Sequence, residues 1–327
     1  MNRICQMLGI RYPIIQGAMT NVSDAELVSA VSEGGGLGVY APGIENVDFD
    51  VVRQEIRRIR EKTTKPFAVN IMLASQYAAG LVEVVCQERV PVVTTGAGNP
   101  SKYMEAFHAA GIKVAPVVPS VEAAVKMEAA GVDFVIAEGM ESGGYIGRVS
   151  TLVLIPQVVD AVNIPVAAAG GIMDGRTMAA VMMLGAEGVQ MGTRFLTAAE
   201  CTIPDYCKDA ILAAKTTDAI VLGDRVGAKA RLRVLKTKVT ADILAAEGET
   251  TISEFESSVE TARKARYSNG LDGTLIGTGQ CVGRVKDRIP AKEIIEGMAA
   301  EYESLVKPQL RLPVHGPHKK NERSLLR

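Results

Sequence analysis

The sequence predicts an α/β protein: a TIM (β/α)8 barrel with a smaller C-terminal cap region. Three observations predict it. Eight short apolar runs fall between residues 12 and 195. Each is near-continuous in apolar residues rather than alternating, the pattern of strands buried on both faces of a parallel sheet. Stretches of helical composition separate them at a spacing of roughly 20–40 residues, which is tandem βα repetition. A doubly wound open sheet is the alternative, but eight repeats within about 200 residues favour closure.

The elements follow in order. YPIIQGAM (12–19) reads as a buried strand ending in Gly17-Ala18-Met19. SDAELVSAVSEGG (23–35) reads as a helix, with Ser23 as a candidate N-cap and Ala25, Val28 and Val31 at helical spacing. GLGVYAPG (36–43) is the second strand, and FDVVRQEIRRIREKT (49–63) an amphipathic helix with its charges outward. PFAVNIML (66–73) is a strand interrupted by the polar Asn70. A helix over 76–89 leads to VPVVTTGAGN (90–99), a strand that ends at Gly96 and Gly98. SKYMEAFHAAG, KVAPVVPS (113–120) and VEAAVKMEAAG read as helix, strand and helix. DFVIAEGMESGG (133–144) is a strand with an acidic, glycine-rich end, followed by the helix LVLIPQVVDAV (152–162).

The last two strands carry the strongest chemical signal. PVAAAGGI (165–172) breaks at Gly170-Gly171, and GVQMGTRF (188–195) breaks at Gly192-Thr193. Two glycine ends on neighbouring parallel strands expose backbone N–H groups side by side, which with a short helix N-terminus beyond them makes a phosphate cradle. In eight-stranded barrels a phosphate often sits after strands seven and eight. The plain alternative is that these glycines only make tight turns. GGGLG (34–38) does not make a Rossmann loop, because its glycines precede a strand instead of following one.

Beyond residue 196 the repeat stops. Residues 205–215 and 240–268 read as helical, DRVGAKARLRVLKTK (224–238) is strongly basic, and GTLIGTGQCVG (273–283) is a glycine-rich loop. PAKEIIEGMAAEYESLV (290–306) is a closing helix with Pro290 at its start. The expected division is a barrel over 1–196, a cap over 197–306 and a basic, disordered tail over 307–327. The cap is too poor in strands for a second large core.

Composition narrows the function. The net charge of -1 implies no general affinity for nucleic acid, and the 4% of aromatic residues, with no Trp, argues against base-stacking platforms. Cys5, Cys86, Cys201, Cys207 and Cys281 form no CxxC pair, and with three His no metal cluster is readable. Reduced thiols, the absence of a signal-like N-terminus and the lack of a membrane-length apolar run predict a cytoplasmic protein.

Barrel chemistry sits at the C-terminal strand ends. That rule selects Gly17, Ala18, Met19, Asn70, Gly96, Glu138, Glu141, Ser142, Gly143, Gly144, Tyr145, Gly170, Gly171, Gln190, Gly192 and Thr193. The set is rich in glycine, lightly charged and without His. A large flat cofactor against bare backbone suits such a mouth, and a phosphate with an aromatic ring describes FMN. Asn70 needs a partner once buried, either a flavin edge or neighbouring backbone.

The runs QGAM, PFAVNIML, TTGAGNP, AEGMESGG, PVAAAGGIMDGR and MLGAEGVQMGTRF resemble the nitronate monooxygenase family, and most of all its FMN-dependent enoyl-acyl-carrier-protein reductase II branch. The likeness runs from residue 1 to about residue 300, and motifs of this length are specific. It implies a TIM barrel holding FMN. By motif match, the FMN contacts are Gly17, Ala18, Met19, Asn70, Glu138, Ser142, Gly143, Gly144, Ala169, Gly170, Gly171, Gln190, Gly192 and Thr193. A homodimer is expected, with a small or carrier-linked substrate and NADH or NADPH as co-substrate.

The chain departs from the family at two places. Where relatives carry a catalytic His after AEGMESGG, this sequence has Tyr145-Ile146-Gly147. The family's GHP or GHA before the basic cap strand corresponds to Gly227-Ala228-Lys229. His108 falls on a barrel helix, and His315 and His318 in the tail. Tyrosine side chains in general titrate near pH 10, against about 6.5 for His, so Tyr145 suits an acid better than a base; the alternative is a packing aromatic. Three functions follow: NAD(P)H-dependent reduction of an activated alkene, nitronate oxidation with O2, or FMN binding without the family's activity. Arg225, Lys229, Arg231, Arg233, Lys236 and Lys238 are read as a solvated strand face or as a dock for carrier or nucleotide phosphate.

Overall fold

The computed structural model describes residues 2–306; the tail at 307–327 lies outside the described residues. Eight parallel strands form one sheet: β1 Ile14–Gln16, β2 Gly38–Tyr40, β3 Phe67–Met72, β4 Val92–Gly96, β5 Lys113–Val118, β6 Val135–Glu138, β8 Val166–Ala169 and β9 Gly188–Met191. The order is β1-β9-β8-β6-β5-β4-β3-β2. A parallel bridge between Ile15 and Leu37 joins the two ends. There the Gln16 N–H donates to Leu37 O at 2.9 Å and the Leu37 N–H to Ile14 O at 2.9 Å, so the sheet closes. All eight apolar runs are the eight barrel strands.

The near-continuous apolar character of each run has a visible cause. Neighbouring residues serve two cores: Ile15, Ala68, Val92, Ile136 and Ala167 join one buried cluster, while Ile14, Val69, Val93, Val135 and Ala168 join another with the helices. Both faces are therefore dry, and each fully buried aliphatic side chain contributes about 1.5–3 kcal/mol. A short first helix, α1 (Arg3–Leu8), sends Ile4 and Leu8 into the inner cluster. It was not foreseen, because six residues are too few to display a helical period.

The helices sit where the sequence places them, with local differences. Asp24, not Ser23, caps α2 (Ala25–Glu33), accepting from the Leu27 N–H at 3.2 Å. Ser23 Oγ instead accepts from Gln16 Nε2 at 2.7 Å and from the Met19 N–H at 2.9 Å, pinning the end of β1. The last described helix, α12 (Ala291–Val306), packs on α2 and on α8 (Gly175–Met183) through Ile294, Ile295 and Met298.

The C-terminal region differs more. Residues 240–268 contain two helices, α10 (Lys238–Ala246) and α11 (Ile252–Lys264), not one. A small antiparallel sheet precedes them, in the order β10-β11-β7, built from Ala219–Leu222, Arg231–Leu235 and Gly144–Ile146. Leu222, Leu232, Val234, Ile243, Phe255 and Val259 give it a core of its own. The third strand, β7, comes from the loop after β6, so the cap borrows a strand from the barrel's own connections.

Candidate functional site

The C-terminal strand ends open into one cavity of about 1180 Å³. Every residue listed above as an FMN contact lines it, and so does Tyr145. The barrel supplies the floor and the cap the opposite wall, through Lys229, Arg231, Leu232, Val234, Leu275, Ile276, Gly277 and Cys281.

The floor is built from backbone. Gly170 and Gly171 take φ of 101° and 73°, a conformation open to glycine at little cost. Thr151, the first residue of α7 (Thr151–Ala161), lies against this turn, its Oγ1 2.9 Å from Gly170 O and 2.8 Å from Glu141 Oε2, with one hydroxyl hydrogen serving the two acceptors. Gly192 leads into a short 3-10 helix, Thr193–Thr197, which has no side-chain cap. Among the described residues, the N–H groups of Gly171, Ile172, Gly192 and Thr193 donate to no protein acceptor. The longer helix α8 is closed to a ligand: Asp174 accepts from the Thr177 N–H at 2.9 Å and Glu301 from the Gly175 N–H at 2.7 Å. The free donors thus gather at the ends of β8 and β9. They fit a phosphate dianion by number and by charge.

Gly192 and Gly144 leave space at the cavity lining clear of side chains. A Cβ at Gly192 would meet only Met19, at 3.7 Å, and one at Gly144 nothing within 4 Å. The fit to a flat ring beside a phosphate is therefore one of vacancy as well as donors. Asn70 is half-satisfied: its Nδ2 donates to Thr94 Oγ1 at 2.9 Å, so the partner foreseen for it is in part the protein. Gln190 is buried at the end of β9.

Two carboxylates line the floor with different fates. Glu141 Oε2 accepts from the Thr151 N–H at 2.9 Å and from its hydroxyl at 2.8 Å, and so caps α7. Glu138 ends β6, where burial pushes its carboxyl up to about 7 against a weaker opposing effect of Ser142. Cys281, beside Thr193, has its thiol pushed up by burial.

Tyr145 stands on β7, opposite Leu232 of β11, and not at the end of β6. It is 42% exposed, and the Arg263 guanidinium lies 5.0 Å from its ring centre. The basic stretch also differs from a solvated face. Arg231 and Arg233 are buried. Arg231 pairs with Asp224 Oδ1 at 2.9 Å and donates to Gly147 O. Arg233 donates from Nη2 to Met140 O at 3.0 Å and from Nη1 to Ala219 O at 3.3 Å. These two arginines tie the cap to the loop after β6. Sequence reasoning missed Arg263, Arg266 and Tyr267, which reach the cavity from the end of α11 and the turn after it; nothing in the charge pattern distinguishes them from surface residues.

Among the described residues, no group of three or more His, Cys, Asp or Glu is placed to hold a metal, and no helix is long and apolar enough to cross a membrane. A closed parallel barrel with an uncapped, glycine-lined set of donors at its mouth has the architecture of a phosphate-binding TIM-barrel enzyme. The family model for nitronate monooxygenase matches residues 2–80 and 74–301. The chain belongs to the nitronate monooxygenase family.

Relatives span more than one activity. A probable nitronate monooxygenase of Staphylococcus aureus (strain Newman) is 36% identical over 266 residues, covering 67% of this chain and 74% of the relative. The structure of FabK from Thermotoga maritima superposes with a TM-score of 0.88 at 44% identity, covering 94% of this chain and 97% of that one. A nitroalkane oxidase from Streptomyces ansochromogenes gives 0.79 at 28% identity, covering 92% and 98%.

Proposed function

We propose that the chain reduces an activated alkene, such as an enoyl thioester, with NADH or NADPH and bound FMN. In this reading the phosphate rests on the N–H groups at 171–172 and 192–193, and the ring faces Gly17–Met19, Asn70, Glu138 and Gln190. Bound there, FMN supplies two-electron transfer from nicotinamide to the alkene β-carbon. The protein's part is to exclude water, orient the substrate and deliver one proton to the α-carbon.

The observation that carries this reading is Tyr145 on the cavity wall, where the family carries His. Alkene reduction needs only a proton donor at that position. Oxidation of a neutral nitroalkane needs a base, and a tyrosine hydroxyl is a poor one at neutral pH. The 44% identity to FabK, an enoyl-acyl-carrier-protein reductase II, supports the same choice over the 28% to nitroalkane oxidase. Oxidation of a preformed nitronate needs no base and is the second reading.

Anaerobic stopped-flow spectroscopy separates them. The flavin is reduced with NADH or NADPH, and its reoxidation is followed on mixing with crotonyl thioester. Rapid reoxidation is expected. No reoxidation by the thioester, with fast aerobic turnover of ethyl nitronate, would transfer the assignment to the monooxygenase reaction. A flavin that neither nicotinamide reduces would leave a binding protein without the family's activity.

A further inference from the structure

Building on the alkene-reductase reading, we infer that Arg263 and Arg266 form an anion subsite on the cap side of the cavity mouth. Its ligand is a phosphodiester or pyrophosphate, the anionic group common to a nicotinamide dinucleotide and to a pantetheine-linked thioester.

The argument starts from which cations are already engaged. Arg231 is bound to Asp224, and Arg233 is spent on the carbonyls of Met140 and Ala219. Arg263 and Arg266 both line the cavity, and both are half-buried. Among the described residues, neither makes an ion pair with a carboxylate. Glu260, which acts on Arg263 through space, is bound by Lys264 at 2.5 Å. Arg266 donates from Nη1 to Thr20 O at 2.7 Å, but its Nε is buried without a partner. A buried guanidinium N–H without an acceptor is costly, and Arg266 is one of the residues lining the cavity.

The surroundings favour an anion. The carboxylates on the cavity lining are Glu45, Glu138 and Glu141. Glu141 is held by Thr151, and burial favours the neutral form of Glu138. Glu45 is exposed and acts on Lys264. Arg263 lies in the last turn of α11 and Arg266 in the turn that follows it, and both line the cavity, so two guanidinium groups are available to one anion. Arg263 also lies over the Tyr145 ring. A ligand anchored here is held beside the proposed proton donor.

The test uses pairs of substrates that differ in phosphate, with the FMN-loaded protein. One pair is NADH and 1-benzyl-1,4-dihydronicotinamide. The other is crotonyl-phosphopantetheine and crotonyl-pantetheine. In Arg263→Gln, the KM advantage of the phosphate-bearing member of one pair should shrink by about tenfold. A general disturbance of Tyr145 would move both members together and leave the ratio constant. Calorimetric binding of inorganic pyrophosphate, which needs no turnover, should weaken by a similar factor. Arg266→Lys keeps a charge near Thr20 but loses the Nε donor, and should weaken pyrophosphate less. Collapse of the NADH ratio identifies the nucleotide as the ligand; collapse of the pantetheine ratio identifies the carrier. Both ratios unchanged, with pyrophosphate affinity unchanged, would overturn the subsite. If the unmodified protein reduces no thioester, the alkene reading fails, while the NADH pair and the calorimetry still decide the subsite.

Discussion

In the proposed reaction, position 145 places proton delivery on one hydroxyl. Tyr145→Phe removes that hydroxyl and little packing, so loss of proton delivery should slow the alkene half-reaction by roughly 10²–10⁴-fold. Flavin reduction by nicotinamide should hardly change; equal alkene rates in the two proteins would make Tyr145 a packing residue. At the other wall, Gly192→Asp introduces a carboxylate where a Cβ has room. The new side chain would cap the Thr193–Thr197 turn and repel a phosphate. The variant should fold and purify colourless; retained yellow absorbance would move the cradle elsewhere. Glu138 gives a pH signature in the flavin-free protein. Its carboxyl is raised from 4.5 to about 7, so the folded state holds the proton more tightly than the unfolded chain. Its contribution is therefore most favourable below pH 4.5 and is lost as pH rises toward 7. Glu138→Gln should raise Tm at pH 8 and leave it nearly unchanged at pH 4.5, as differential scanning fluorimetry would record.

At the scale of elements, strand β11 joins the cap to the site. Arg233→Ala leaves the carbonyls of Met140 and Ala219 without their donor and opens a cavity. It should cost about 2–4 kcal/mol in urea unfolding. Lys229→Ala, at an exposed position, should stay within about 0.5 kcal/mol. Equal effects would mean that the buried bonds of Arg233 carry little of the cap's attachment. The barrel strands were legible because a strand dry on both faces writes an unbroken apolar run, as in Val92-Val93 and Ala167-Ala168-Ala169. The glycine ends were legible because Gly170-Gly171 and Gly192 interrupt such runs. The fates of Arg231 and Arg233 were not, since a charged residue alternating along a strand looks the same whether its partner is water or a distant carbonyl. Strand β7 was hidden for a related reason: Gly144-Tyr145-Ile146 is too short to show a period, and its partner lies more than eighty residues away. Arg263 and Arg266 reach the cavity only through the path of α11, which is tertiary information.

At the scale of the whole molecule, the barrel core, in two clusters, and the smaller cap core pack around the large cavity. The cap sheet rests on the small cluster around Leu232, Val234 and Phe255, while the barrel strands share the larger clusters on both faces. Local opening should therefore begin in the cap. Amide hydrogens of β10 and β11 should exchange faster than those of β3 and β4 when followed by mass spectrometry. Identical protection would mean that the two cores open as one cooperative unit. The borrowed strand β7 has a consequence for how such a protein diversifies. Tyr145 is paired with Leu232 in the cap sheet, while the glycine ends at 170–171 and 192 follow β8 and β9. Substitutions along β10, β11 and α11 can change the setting of Tyr145 and the mouth without disturbing Gly170–Ile172 or Gly192-Thr193. Their destabilising load falls on the lesser core, and the barrel's folding is spared. New substrates can in this way be tried one residue at a time on a cofactor seat that stays as it was.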